Sequence, residues 1–121
     1  MNTKDLEERL INFSVLIIRI ADNLKGRSGY ILAGQIMRSG TSCTLNYGEA
    51  QSAESTPDFV HKLQVVLKEL RETFVNLRII KKSNICKLHE ELELALKENN
   101  ELISIFVATI RKIKDKNKND L

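Results

Sequence analysis

Pro57 is the only proline in the 121 residues, and the stretches on both sides of it read as long helices. A proline has no N–H to give and fits a helix only in its first turn. The chain therefore ends one helix and begins another at Ser55-Thr56-Pro57. Thr56 caps the new helix through its side-chain oxygen, with Pro57 in the first helical position. The alternative is Ser55 with Asp58, a capping-box spacing with Asp in place of Glu. Asp58 also places negative charge where the helix dipole favours it. If the two helices fold back on each other here, residues equidistant from the turn come level. Arg38 then lies near Arg71, within reach of Glu69 and Glu72, and Glu49 lies near Val60, within reach of Lys62.

Apolar periodicity organises the rest of the chain. Leu6, Leu10, Phe13, Ile17, Ile20 and Leu24 recur at alternating steps of four and three, which predicts a helix from about Asp5 to Lys25 with one apolar face. Ile11, Val15 and Ile18 add a second partial stripe, and Gly26 stands where a C-cap glycine is expected. The second helix is expected from Ser28 to Ala53, with Leu32, Ile36, Ser39, Cys43, Asn46 and Ala50 inward. Gly34, Gly40 and Gly48 each cost a helix about 1 kcal/mol against alanine. Small residues here allow a neighbouring backbone to come close; a break at Ser39-Gly40 is the other reading.

The third helix is expected from Pro57 to Lys82. Its first stripe is Phe59, Leu63, Val66, Leu70, Leu77 and Ile80, with Thr73 in line, and its second is Val60, Leu67 and Phe74. Ser83-Asn84 marks the next turn. Leu88, Leu92, Ala95, Leu96, Leu102, Phe106 and Ile110 carry a fourth helix from about Cys86 to Ile113. Asn99 interrupts that stripe, and a lone core polar residue of this kind fixes register against a specific partner. Four helices of roughly 25 residues, each about 40 Å long, with short connections make an all-α, up-down-up-down bundle over residues 1–114. Residues 115–121 form a polar tail, in the basic stretch 111–121, that is expected to fray. The doubled apolar stripes exceed what one narrow seam requires and point to self-association.

Composition narrows the function classes. Apolar residues make up 42% and charged residues 29%, the balance of a folded chain. No apolar run reaches the length of a membrane span, and MNTKDLEERL is too charged for a secretory signal. Cys43 and Cys86 make no disulfide framework, so a reducing cytoplasm is the expected setting. A di-iron bundle needs Glu-x-x-His on two helices. Asp58 stands three places before His61 and Cys86 three before His89, so neither histidine completes that motif. No cysteine–histidine pair or phosphate loop is apparent either. The expectation is a non-enzyme without cofactor or metal.

Charge points to nucleic acid. The net charge is only +3, but alternating helix directions gather Lys25, Arg27, Arg78, Lys81, Lys82 and Lys87 at one end of the bundle. Clustered cations of this kind bind phosphate backbones in a salt-dependent way. The other end gathers Lys4, Arg9 and the basic tail, diluted by Asp5, Glu7, Glu8 and Asp58. Tyr30 and Tyr47, the two tyrosines, belong to no basic run, so such binding reads backbone and shape. A second polar set, Arg38, Ser42, Asn46 and Glu49 with Glu69 and Glu72, reads as a partly buried structural network in preference to a ligand site.

Several of these residues carry a family resemblance. Gln35-Ile36-Met37-Arg38-Ser39-Gly40-Thr41-Ser42, Asn46-Tyr47-Gly48-Glu49-Ala50 and Ala53-Glu54-Ser55 are its densest part, with Phe59-Val60-His61-Lys62-Leu63 and Lys68-Glu69-Leu70-Arg71-Glu72-Thr73 following. Over about residues 5–112 the chain resembles the bacterial four-helix-bundle proteins named for open reading frames in intervening sequences of 23S ribosomal RNA genes. The resemblance implies a ring-shaped homo-oligomer, commonly a homopentamer. It also implies kinship with the accessory bundle proteins of diversity-generating retroelements, which work with nucleic acid and a reverse transcriptase. For most of the family no activity is established. Gly48 replaces the larger, often basic residue expected after Asn-Tyr, so that position carries no implied nucleic-acid contact. Two classes follow: an RNA-binding accessory protein, or a structural or protein-interaction module without a nucleic-acid role.

Overall fold

The computed structural model describes residues 1–119. Four helices, α1 (Thr3–Ala21), α2 (Gly26–Ala50), α3 (Thr56–Ser83) and α4 (His89–Asn119), pack in sequence order, and α4 closes against α1. No strand occurs among the described residues, only one isolated bridge between two loops. The fold is the all-α four-helix bundle that the apolar spacing demands.

Several boundaries differ from the expected ones, each for a local reason. The first helix starts at Thr3 because the Asn2 side chain accepts from the Asp5 N–H at 2.9 Å. It ends at Ala21, not Lys25, and Gly26 does not cap it. Gly26, at φ +74°, instead turns the chain into α2. α2 runs unbroken through Ser39-Gly40 and stops at Ala50. At the hairpin, Ser55 is the cap and Thr56 is not: the Asp58 N–H donates to Ser55 Oγ at 3.2 Å. Asp58 Oδ2 accepts from the Glu54 N–H at 3.1 Å, one residue short of a reciprocal capping box. α3 ends on Asn84 in the left-handed conformation, φ +56°. α4 begins at His89 because Cys86 is drawn into the bridge, and it continues through the stretch expected to fray as far as Asn119. Asp120 and Leu121 of that tail lie outside the described residues.

The core is one cluster fed by all four helices. Leu10, Phe13, Ile17 and Ile20 meet Ile36 and Cys43 of α2, Leu63, Val66, Leu70, Leu77 and Ile80 of α3, and Leu92, Ala95, Leu102 and Phe106 of α4. Tyr47, absent from the expected stripe, is buried with its ring edge-on to Phe106, centroids 5.6 Å apart. Asn46, placed inward by the sequence, is half-buried and donates to the Ser42 carbonyl at 2.8 Å. Asn99 is fully buried, and its Nδ2 donates to the Leu70 carbonyl at 3.2 Å. That bond ties α4 to α3 at one register. Asn99 Oδ1 has no partner among the described residues.

Candidate nucleic-acid interface

The residues between helices decide the shape of the basic end. The loops α1–α2 and α3–α4 lie side by side and pair like a fragment of antiparallel sheet. The Lys25 N–H donates to the Ile85 carbonyl at 2.7 Å and the Lys87 N–H donates to the Asn23 carbonyl at 3.0 Å, around the bridge Leu24–Cys86. Asn23 Nδ2 donates to the Arg19 carbonyl at 2.8 Å and holds the end of α1 to the loop. Lys25 and Lys87 are thereby carried on one stitched surface, with Arg27 at the start of α2 beside them. Nothing in loops of four and five residues has the alternation that announces a strand, so the stitch has no sequence signal.

The last two turns of α3 bring Arg78, Lys81 and Lys82 to the same end, and all six cations are exposed. Lys81 is engaged, its Nζ 2.8 Å from Glu93 of α4. Lys25, Arg27, Arg78, Lys82 and Lys87 have no carboxylate partner among the described residues. From this end a groove of about 530 Å³ runs along the outer side of the α3–α4 seam. Arg78, Lys81, Lys82 and Lys97 stand around it, with Glu93 the acid among them. Lys97 belongs to no basic run, and only the packing of α4 on α3 adds it to the set.

The opposite end is different. Arg9 does not face solvent as a free cation. Its Nε and Nη2 grip both oxygens of Glu98 at 2.8 and 2.7 Å, and Nη2 also reaches Glu101 at 2.7 Å. These carboxylates raise the guanidinium pKa above its usual value, against the opposing effect of burial. Arg9 is a clamp between α1 and α4.

The second polar set is assembled only in part. Arg38 donates to Glu69 at 3.2 Å and also to Glu72, across the α2–α3 hairpin. Ser42 offers only its carbonyl, to Asn46. Glu49 is exposed and does not reach Lys62, which lies 3.9 Å from Asp58 one turn back on its own helix. The shared network thus shrinks to Arg38, Glu69 and Glu72, an ion-paired latch on the hairpin. Its guanidinium is half-exposed and its charge is already met by two carboxylates, which disfavours an added anion.

Other chemistry has no visible constellation. His61 and His89 are both exposed. Among the described residues no three His, Cys, Asp or Glu side chains cluster as metal ligands. Cys43 and Cys86 are buried free thiols, and burial pushes the Cys43 pKa up to about 11, the reverse of activation. No helix among the described residues is long and apolar enough to cross a membrane.

Comparison with known proteins agrees with this architecture. The family model described as 23S rRNA-intervening sequence protein matches residues 5–108, and the chain belongs to that family. Among solved structures, it is similar to a protein of unknown function from the S23 ribosomal protein family of Bacteroides thetaiotaomicron VPI-5482. The two share 29% identity over 92% of this chain and 99% of that one, with a TM-score of 0.79. No curated protein matches the chain.

Proposed function

We propose that this member of the 23S rRNA-intervening sequence protein family is a non-enzymatic, self-assembling RNA-binding accessory protein of the cytoplasm. It engages the backbone of structured RNA through its basic end. One observation carries the reading: the stitched loops hold Lys25 and Lys87 together, beside Arg27 of α2 and Arg78 and Lys82 of α3, all five unmatched by carboxylates among the described residues. Clustered cations not already paired with acids are what a phosphate backbone engages as its counterions are released. Lys81, already held by Glu93, contributes less.

Self-assembly is supported by what lies outside the α1–α2 seam. Ile11, Val15 and Ile18 of α1 are 36%, 59% and 38% exposed, and Tyr30 and Leu45 of α2 are 83% and 67% exposed. Helical spacing puts both groups on the outer side of that seam. Copies joined there repeat the basic end around a ring, five times in the homopentamer that the family resemblance implies, and multivalency then raises a weak single-site affinity. The same apolar face is what favours the second reading, a protein-interaction module with no RNA role.

Fluorescence anisotropy with a labelled RNA hairpin at two salt concentrations separates the readings. The RNA reading requires binding at low salt with a steep negative salt slope. Charge reversal in Lys82→Glu/Lys87→Glu should weaken binding to all sequences and flatten the slope by about one for each phosphate left without its cation. No binding at low salt leaves the interaction-module reading. Sedimentation tests assembly separately: a 13.8 kDa species alone at micromolar concentration removes the ring.

A further inference from the structure

The groove along α3 and α4 combines free cations with an apolar floor that has an aromatic ring in it. Phe74 and Leu96 are both half-buried and both line the groove. Phe74, Arg78 and Lys82 follow at steps of four on α3, so they stand on one side of that helix. Lys97 faces them from α4, and Lys81 with Glu93 closes the side toward the loops. Arg78, Lys82 and Lys97 have no carboxylate partner among the described residues.

A solvated charged face needs no concavity, and a backbone-binding surface needs no aromatic floor. A groove with a ring at its base and cations on its rim matches a group with a flat apolar face on one side and negative charge on the other. A nucleotide has that shape, and the cavity of about 530 Å³ lies within the usual range for small-molecule sites, about 300–1,000 Å³. Paired bases are stacked and out of reach, whereas a bulged or looped base is free to lie against an aromatic side chain.

We infer that the α3–α4 groove receives one unpaired nucleotide of a bound RNA, its base on Phe74 and its flanking phosphates on Arg78, Lys82 and Lys97. The inference rests on the RNA-binding reading above and specifies which part of the RNA is held there.

Anisotropy titrations with three RNAs test it: a fully paired duplex, the same duplex with one bulged nucleotide, and the bulged duplex with that nucleotide made abasic. The wild-type protein should prefer the bulged duplex by on the order of tenfold over both of the others, the worth of one stacked base. Phe74→Leu, which keeps apolar volume but removes the π-face, should lose the preference and keep its affinity for the plain duplex. Lys97→Gln should weaken binding to the bulged duplex. Equal wild-type affinity for the bulged and abasic forms overturns the inference without any variant needing to fold. So does a Phe74→Leu protein that melts normally and still prefers the bulge. In both cases duplex binding persists and the RNA-binding reading stands; absence of binding to all three RNAs at low salt overturns both.

Discussion

The α1–α2 seam and the α3–α4 seam join helices of the same bundle by different means. Across α1–α2 small residues let the helices come close. A Cβ on Gly40 would lie 2.6 Å from Ile17 Cγ2. Hydroxyls bond the neighbouring backbone directly: Ser14 Oγ donates to the Gly40 carbonyl at 2.7 Å, and Thr44 Oγ1 donates to the Leu10 carbonyl at 3.0 Å. Across α3–α4 large aliphatic side chains fill the contact, and a buried amide, Asn99, crosses between the helices. The outer surfaces differ as well. Along α1–α2 exposed Ile11, Val15, Ile18, Tyr30 and Leu45 make it apolar. Along α3–α4 a groove is rimmed by Arg78, Lys82 and Lys97.

Filling the close seam should have the largest effect. Gly40→Val forces two β-branched side chains into one place and should lower stability by about 3 kcal/mol in urea denaturation. A loss below about 0.5 kcal/mol would mean that α1 yields and the approach is not tight.

A second measure of the same seam is chemical. Cys43, whose Sγ lies 3.3 Å from the Gly40 carbonyl, is fully buried. Burial raises its pKa from 9.0 to about 11, so folding favours the protonated thiol. Its contribution is complete below pH 9 and is lost as pH rises toward about 11, an amount on the order of 2–3 kcal/mol. Stability curves of wild type and Cys43→Ala should therefore converge over that interval. Iodoacetamide at pH 8 should leave Cys43 of the folded protein unmodified.

The α3–α4 seam should respond to substitution in the opposite sense to Gly40→Val. Asn99 leaves one buried oxygen without a partner among the described residues, so Asn99→Leu should raise the melting stability by about 1 kcal/mol. A clear loss would show that the amide contributes more to α4 docking than its orphaned oxygen costs.

The smallest effect separates glycines of α2 that look equivalent in sequence. A Cβ on Gly34 or Gly48 meets nothing within 4 Å. Each to alanine should stabilise the single chain by up to about 1 kcal/mol in thermal melts. Both positions border the outer apolar face, so the same variants should lower the sedimentation-derived association constant if copies meet there.

Periodicity made much of this legible. The stripes of α1, α3 and α4 are core because a repeat near 3.6 residues leaves no other face to bury. The Arg38 latch followed from counting equal distances away from Pro57. Two signals lie in the sequence one step away from the expected residues. Ile36, Gly40, Cys43, Tyr47 and Ala50 hold the helical period better than a stripe through Asn46, and all five are buried. Phe74 stands one turn before Arg78, an aromatic beside a basic run that attention to tyrosines passes over. Other features have no local signature. The Leu24–Cys86 bridge joins loops about 60 positions apart, and the Arg9 clamp spans 89.

The order of residues settles which faces are greasy and where the rods must bend, because a helix repeats every few residues and proline cannot hide inside one. It says nothing of the distance between two rods once they touch. That distance depends on what each glycine or leucine meets on another helix. Only packing in three dimensions made the same residue type a close contact at Gly40 and open space at Gly34.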